Sequence, residues 1–501
     1  MAFNSPLFML FIAVCAAIHG ALPQRVQNPF LLAASMVCYF WAAPQYGVLL
    51  LGTVALVYFG ARWIDQAQDT PVRRRRMWLV IGPLLAVLGL FKYFNFFMGS
   101  AGSLLGWFGI AWQPPVLGWI LPLGISFYTF QAIGYCADVS GRKMLPERNF
   151  VDFALFISFF PQIMSGPIGR AGELLPQYKR HRPFVYGETL YGLRRFLLGL
   201  FKKTVVADGL GLLVDAAYAQ LRDYSGAVLL FAAFGYAVQL YFDFAGYTDM
   251  AVGAARLFGV KLRENFLAPY FAFDPAGFWS RWHISLTSWL RDYIYIPLGG
   301  NRRGFPRKLF NIALVFLISG LWHGASWRFV AWGGLHAFAR VGQELLRRCR
   351  PPKAPGHGFA AILGAAGMFC FAAFGFVLFR AASFADAAYL WGAMFRLGGA
   401  AEQFSALWAS ASPGITLGRT YTLLYFGLLG PSLLLAFWFD LRLARSVGRR
   451  DGTPLLEPLG GIRPHAVRWL AYWYMALSSL LFLFIVKTAA QNAVSFIYFG
   501  F

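Results

Sequence analysis

The 501-residue chain is 58% hydrophobic and 18% aromatic but only 13% charged, with a mean hydropathy of +0.55, a balance that excludes a water-soluble domain. At roughly 20 apolar residues per crossing, its about 290 apolar residues supply ten to twelve spans, so an all-α polytopic integral membrane protein is predicted. The formal charge of +23 sits in short loops between apolar runs, the pattern of cytoplasmic loops facing anionic lipid, which makes membrane lipid and not nucleic acid the partner.

Long apolar runs place spans near residues 5 to 22, 30 to 43, 46 to 62, 77 to 96, 117 to 137, 151 to 167, 226 to 258, 309 to 322, 326 to 342, 360 to 380, 421 to 441 and 467 to 487. The first run resembles a signal peptide but lacks a basic leader, and a second run follows at once, so it reads as the first span. The 226 to 258 run is long enough to be tilted, broken or two elements.

The cluster Arg73, Arg74, Arg75 and Arg76 is cytoplasmic by the positive-inside rule, and alternation then puts Arg25 and the Arg142, Lys143, Arg148 loop inside and the N-terminus outside. Three later basic loops (Arg302, Arg303, Arg307, Lys308; Arg347, Arg348, Arg350, Lys353; Arg442, Arg445, Arg449, Arg450) are also assigned to the inside. The C-terminus after Lys487 and a long loop from Ala381 to Tyr421 then fall outside. No polar linker divides the chain, so residues 1–501 read as one membrane domain. The five cysteines lie far apart with no CxxC or ligand spacing, and read as packing residues, not as a disulfide framework or metal site.

Ionisable residues inside apolar runs need a partner or a function. Asp243 and Asp249 interrupt Tyr241-Phe-Asp-Phe-Ala-Gly-Tyr-Thr-Asp249; they either hold neighbouring helices together or line a wet cavity. In Gly277-Phe-Trp-Ser-Arg-Trp-His-Ile-Ser-Leu-Thr-Ser-Trp-Leu-Arg-Asp292, a single helix would align Trp279, His283, Leu286 and Leu290 on one stripe. Arg281, Ser285, Ser288 and Asp292 would form another. An interfacial amphipathic helix explains the Trp and Arg content, and His283 is either a hydrogen-bonded core residue or a catalytic one. His323 stands between Gly320 and Gly324 at the junction of two apolar runs. Small residues there admit another backbone or an extended substrate, so helix packing and a functional histidine compete. The other five, His19, His181, His336, His357 and His465, have weaker claims. GxSxG, Walker A, GxGxxG and HExxH are absent, which leaves histidine and substrate placement to carry any chemistry.

Six segments recur in order over about residues 120 to 336: Leu121–Gly134, Phe160–Arg170, Gly199–Asp208, Tyr241–Gly253, Phe278–Arg303 and Gly320–His336. Together they resemble the membrane-bound O-acyltransferase superfamily, and within it the bacterial alginate and cellulose O-acetylation branch; the motif-bearing core spans about 117–342. The last 160 residues are similar only in composition, apart from the aromatic ending Phe496–Phe501.

The resemblance implies helices and re-entrant segments around a central funnel, with His323 as the catalytic histidine and His283 as the second motif histidine. It implies substrate-binding roles for Trp279, Arg281, Trp282, Asp243, Asp292, Asn301, Tyr128 and Gln131. It implies a bacterial inner-membrane enzyme with no bound cofactor and no metal. Such an enzyme moves acetyl from acetyl-CoA, or another acyl thioester, toward an extracytoplasmic polysaccharide or a periplasmic acetyltransferase, alongside polysaccharide secretion proteins. D-alanyl transfer toward teichoic acid, an acyl-group transporter and a secretion scaffold are the alternatives. A simple span count puts His323 near the outer side, so a catalytic centre reachable from the cytoplasm requires re-entrant segments.

Overall fold

A computed structural model describes residues 3–164, 166–349, 359–396, 398–411, 418–447 and 465–489. Arg350, Lys353, His357, Arg449, Arg450 and the Phe496–Phe501 ending lie outside the described residues. Among those described there is no strand.

The first half contains α1 (Pro6–Ala21), α2 (Gln24–Ala42), α3 (Gly47–Asp65), α4 (Thr70–Leu88), α5 (Phe94–Trp107), α6 (Ile125–Ser140), α7 (Phe150–Ser158), α8 (Phe160–Ile163), α9 (Ala171–Tyr178), α10 (Tyr186–Phe201), α11 (Asp208–Ala219) and α12 (Gly226–Leu257). The second contains α13 (Pro275–Arg281), α14 (Ile284–Leu290), α15 (Phe305–His323), α16 (Trp327–Cys349), α17 (Phe359–Arg380), α18 (Phe384–Ala393), α19 (Ala400–Ala411), α20 (Gly418–Val447) and α21 (His465–Ala489). Seven helices among the described residues are long and apolar enough to cross a membrane, and the protein is a multi-pass membrane protein.

Several expectations are refined. The 226 to 258 run is one helix, α12, of 32 residues. The 77 to 96 run lies within a longer helical stretch, Thr70–Trp107, which a π-helical turn at Gly89–Tyr93 interrupts. The 117 to 137 span is helical only from Ile125, because Gly124 takes a left-handed φ of +71° and a Cβ there would lie 2.4 Å from the Ile163 carbonyl oxygen. The 151 to 167 run breaks at Phe159, between α7 and α8. The predicted outer loop from 381 onward holds two helices, α18 and α19. Cys15, Cys38 and Cys136 are buried, but Cys349 and Cys370 are exposed and do not pack in the core.

Hydrophobic periodicity overlooked α10 and α11, which a π-helical turn at Lys202–Ala207 joins into one stretch from 186 to 219. Its charged residues disguise it, yet it runs antiparallel to α12 in close contact. A Cβ on Gly192 would lie 2.8 Å from the Gly253 carbonyl oxygen, and one on Gly199 2.5 Å from that of Gly246. Two glycines, seven residues apart on each helix, let the backbones touch. The charges then neutralise one another across that seam. Arg195 Nε donates to Asp249 at 2.8 Å, Lys202 Nζ donates to Asp249 at 3.0 Å, and Lys203 pairs with Asp243 and, at 2.7 Å, with Asp208. Asp243 and Asp249 therefore hold neighbouring helices together.

From Leu257 to Phe305 the chain forms only short helical pieces. A seven-residue helix such as α13 or α14 is about 10 Å long, a third of the ~30 Å hydrocarbon thickness. Both ends of the segment are basic, with Arg256, Lys261 and Arg263 at one and Arg302, Arg303, Arg307 and Lys308 at the other. No single helix of this segment is long enough to cross, in keeping with the re-entrant segment that the resemblance implies, and the segment carries His283.

Candidate functional site

The helix expected over 277–292 is interrupted at Trp282 and His283. His283 has φ +43° and ψ +54°, in the left-handed region, where a non-glycine residue costs energy and is held only by its surroundings. Two backbone bonds pin the break: Leu267 N–H to the Arg281 carbonyl at 3.0 Å, and Ile284 N–H to the Asn265 carbonyl at 2.9 Å. The stripe through Trp279, His283, Leu286 and Leu290 therefore does not form; the break turns His283 inward, where it is 0% exposed.

His283 also caps the helix that follows it. Its Nδ1 accepts the Leu286 N–H at 3.3 Å, so a neutral ring carries its proton on Nε2. That Nε2 is buried without a hydrogen-bond partner among the described residues. Burial pushes the pKa of His283 down from 6.5 to about 3, which keeps the ring neutral at physiological pH.

His323 ends α15, and its ring lies 6.4 Å from that of His283, centroid to centroid, inclined by 68°. Phe244 of α12 packs on His283 at 4.8 Å. Trp322, Trp332 and Phe379 surround His323 at 5.0, 5.2 and 5.2 Å. Trp332 in turn covers His336 at 4.7 Å, so a third buried imidazole stands behind the pair.

A cavity of about 280 Å³ opens beside His323, lined among others by Ala43, Tyr46, Lys92, Leu123, Phe127 and Trp322. Ala43 and Tyr46 join α2 to α3, a turn that the charge rule places outside. The cavity thus reaches His323 from the turn between α2 and α3, while His283 is brought up by the 257–305 segment of short helices. The two histidines meet where these approaches converge.

The glycines around His323 have a different use from admitting substrate. A Cβ on Gly320 would lie 2.2 Å from the Phe329 carbonyl oxygen, and one on Gly324 2.2 Å from the Phe329 ring. Their space is filled by α16.

The remaining predicted residues are distributed around this centre. Trp279 packs on Phe316, Trp332 and His336 at 5.0, 5.7 and 5.1 Å, and Trp282 on Phe266, Phe278 and Phe376 at 5.2, 5.4 and 5.2 Å. They form the aromatic shell behind the histidines. Arg281 reaches the Phe271 carbonyl at 3.5 Å.

Five others lie away from the cavity. Asp243 is committed to Lys203, and Asp292 to Arg170 at 2.9 Å and Arg291 at 2.8 Å. Asn301 is exposed and accepts from the Tyr295 hydroxyl. Gln131 donates to the Phe156 carbonyl at 3.4 Å. On α6 the cavity is lined by Ile125, Ser126 and Phe127, not by the buried Tyr128 or by Gln131. Sequence reasoning missed Lys92, although a lysine inside the apolar run 77 to 96 was itself the signal.

A family model for the membrane-bound O-acyltransferase family matches residues 142–385. The chain is 35% identical to the probable alginate O-acetylase AlgI of Pseudomonas putida, over 100% of both chains. It is 37% identical to the peptidoglycan O-acetyltransferase of Helicobacter pylori over 68% of this chain and 69% of that one. It is 28% identical to the teichoic acid D-alanyltransferase of Bacillus subtilis over 52% of this chain and 69% of that one. Full-length similarity at this level, joined to six ordered motifs and a helical membrane fold, places the protein: the chain belongs to the membrane-bound O-acyltransferase family and is an O-acyltransferase.

Proposed function

We propose that the protein, working as one domain in the bacterial inner membrane, moves an acetyl group from a cytoplasmic acyl thioester such as acetyl-CoA. The group passes toward an extracytoplasmic alginate- or cellulose-like polysaccharide, or to a periplasmic acetyltransferase acting with the secretion proteins. The observation that supports this reading is the 6.4 Å approach of His283 to His323 beside the cavity; in this reading the charge rule puts the cavity outside and the His283 segment enters from the cytoplasmic face.

In this reading the thioester carbonyl approaches the two rings from the cavity beside His323. The Nε2–H of His283 donates to its oxygen and stabilises the negative charge that develops there. His323 takes the proton of the acceptor hydroxyl as the hydroxyl oxygen attacks the carbonyl carbon. The tetrahedral intermediate collapses with cleavage of the C–S bond, and His323 returns the proton to the departing thiolate. The aromatic shell of Trp279, Trp282, Trp322, Trp332 and Phe379 excludes water, which would otherwise hydrolyse the thioester.

The test is ester-linked acetate on the exported polysaccharide of cells carrying wild type or His323→Ala, with membrane levels matched. Loss of acetate with the protein abundant supports the reading, and unchanged acetate overturns it. Similarity to a teichoic acid D-alanyltransferase supports a second reading, D-alanyl transfer; ester-linked alanine in place of acetate would establish it.

A further inference from the structure

Lys92 is the only Lys, Arg, Asp or Glu among the residues lining the outward cavity. It sits on the π-helical turn Gly89–Tyr93, within the apolar helix Thr70–Trp107. Local widening of a helix of this kind recurs at functional sites. Its Nζ donates to the Trp322 carbonyl at 2.5 Å, next to His323, and stands 5.5 Å from the centroid of the Trp322 ring.

Among the described residues the buried lysines Lys202 and Lys203 are neutralised by carboxylates, Lys202 by Asp249 and Lys203 by Asp208 and Asp243. Lys92 pairs with no carboxylate among the described residues. An ammonium group has three donors, and the carbonyl uses one. An uncompensated cation at membrane depth is costly, and low-dielectric walls concentrate its field in the space it faces. The cavity thus favours a ligand carrying one negative charge. Its about 280 Å³ equals the share of about nine water molecules at ~30 Å³ each, room for a single sugar ring.

We propose that Lys92 is the anion-holding residue of the acceptor cavity, and that the acceptor sugar carries a carboxylate beside its hydroxyls, as a uronic acid does. This rests on the reading above that the outward cavity takes a sugar acceptor, and it separates an alginate-like acceptor from a neutral cellulose-like one. A neutral sugar would cover the ammonium without compensating its charge.

The full-length protein in lipid nanodiscs tests this with methyl glucuronide and methyl glucoside, which differ only in a carboxylate against a hydroxymethyl group. Thermal protection is titrated for wild type, Lys92→Gln and Lys92→Arg. The expected result is half-protection by the glucuronide at a concentration at least tenfold lower than by the glucoside. That preference is lost in Lys92→Gln and kept in Lys92→Arg. Equal protection of the wild type by the two sugars overturns the proposal, as does a preference surviving in Lys92→Gln or protection by acetate ion matching the glucuronide. If Lys92→Gln does not fold, the wild-type preference and its retention in Lys92→Arg decide. Thiol release from the acyl donor, lost in His323→Ala, reports separately on acyl transfer. Its failure with sugar preference intact removes the enzyme mechanism and leaves the Lys92 site standing.

Discussion

Gly320 on α15 and Gly333 on α16 face each other with no room for a methyl group. A Cβ on Gly320 would lie 2.2 Å from the Phe329 carbonyl oxygen, and one on Gly333 2.4 Å from that of Phe316. Because His323 is one turn beyond Gly320, this contact sets where the imidazole stands. Gly320→Ala is expected to push the helices apart, costing about 1–3 kcal/mol as an overpacking change and displacing His323. A lowered thermal midpoint together with lost ester formation is the expected result. Gly334→Ala is the control, since its Cβ would meet only Leu317, at 3.9 Å; an effect of equal size there would count against the argument.

The two histidines should fail differently. His323→Ala removes the base of the proposed mechanism, and general acid–base catalysis contributes about 10²–10⁴-fold, so ester formation should fall by that order with donor binding retained. His283→Ala removes the cap on Leu286 N–H and, in the proposed mechanism, the N–H that donates to the thioester carbonyl. It is therefore expected to lower both rate and stability, the cap by about 1 kcal/mol. Single-turnover acyl transfer, read beside thermal midpoints of the purified variants, separates the two patterns.

Acid should weaken the folded state through His283. The unfolded ring takes up a proton near 6.5, whereas the buried ring stays neutral down to about 3. Below pH 6.5 the unfolded chain therefore binds more protons than the folded chain. Stability falls as pH drops toward 3, by up to about 1.4 kcal/mol per pH unit from this residue, and this loss is absent above 6.5. Thermal midpoints measured from pH 7.5 to 5 should fall less steeply in His283→Gln than in wild type; parallel curves would refute the assignment.

Asp249 accepts from both Arg195 and Lys202. Asp249→Asn leaves both cations short of charge in a buried seam, and breaking a buried pair in this way typically costs about 3–5 kcal/mol. Arg195 keeps Glu264 and Lys202 keeps a 3.8 Å approach to Asp440, so the lower end of that range is expected. Reduced membrane accumulation and a lowered midpoint should appear together. Asn301→Ala removes only an exposed bond to Tyr295 and should change neither; a large loss of activity would restore Asn301 as a substrate contact.

Apolar runs and basic loops settled the class of this protein, because lipid leaves a chain few ways to satisfy its backbone. The order of six motifs settled the resemblance. The spans that the sequence concealed are those whose charges cancel only across helices. Arg195, Lys202 and Lys203 make α10 and its π-helical turn look polar until α12 brings Asp243 and Asp249 against them. The site was half legible. His283 and His323 stood out as ionisable residues in apolar surroundings, but nothing in a linear pattern says that the backbone at His283 turns left-handed and breaks its helix. That break depends on Leu267 and Asn265, bonding to either side of it from 14 and 19 positions away. It was likewise the tertiary structure that set Lys92 against Trp322, 230 positions along the chain. Periodicity reports which face of a helix is apolar. Which charge meets which, and which imidazole faces another, is decided by packing between segments that the sequence keeps far apart.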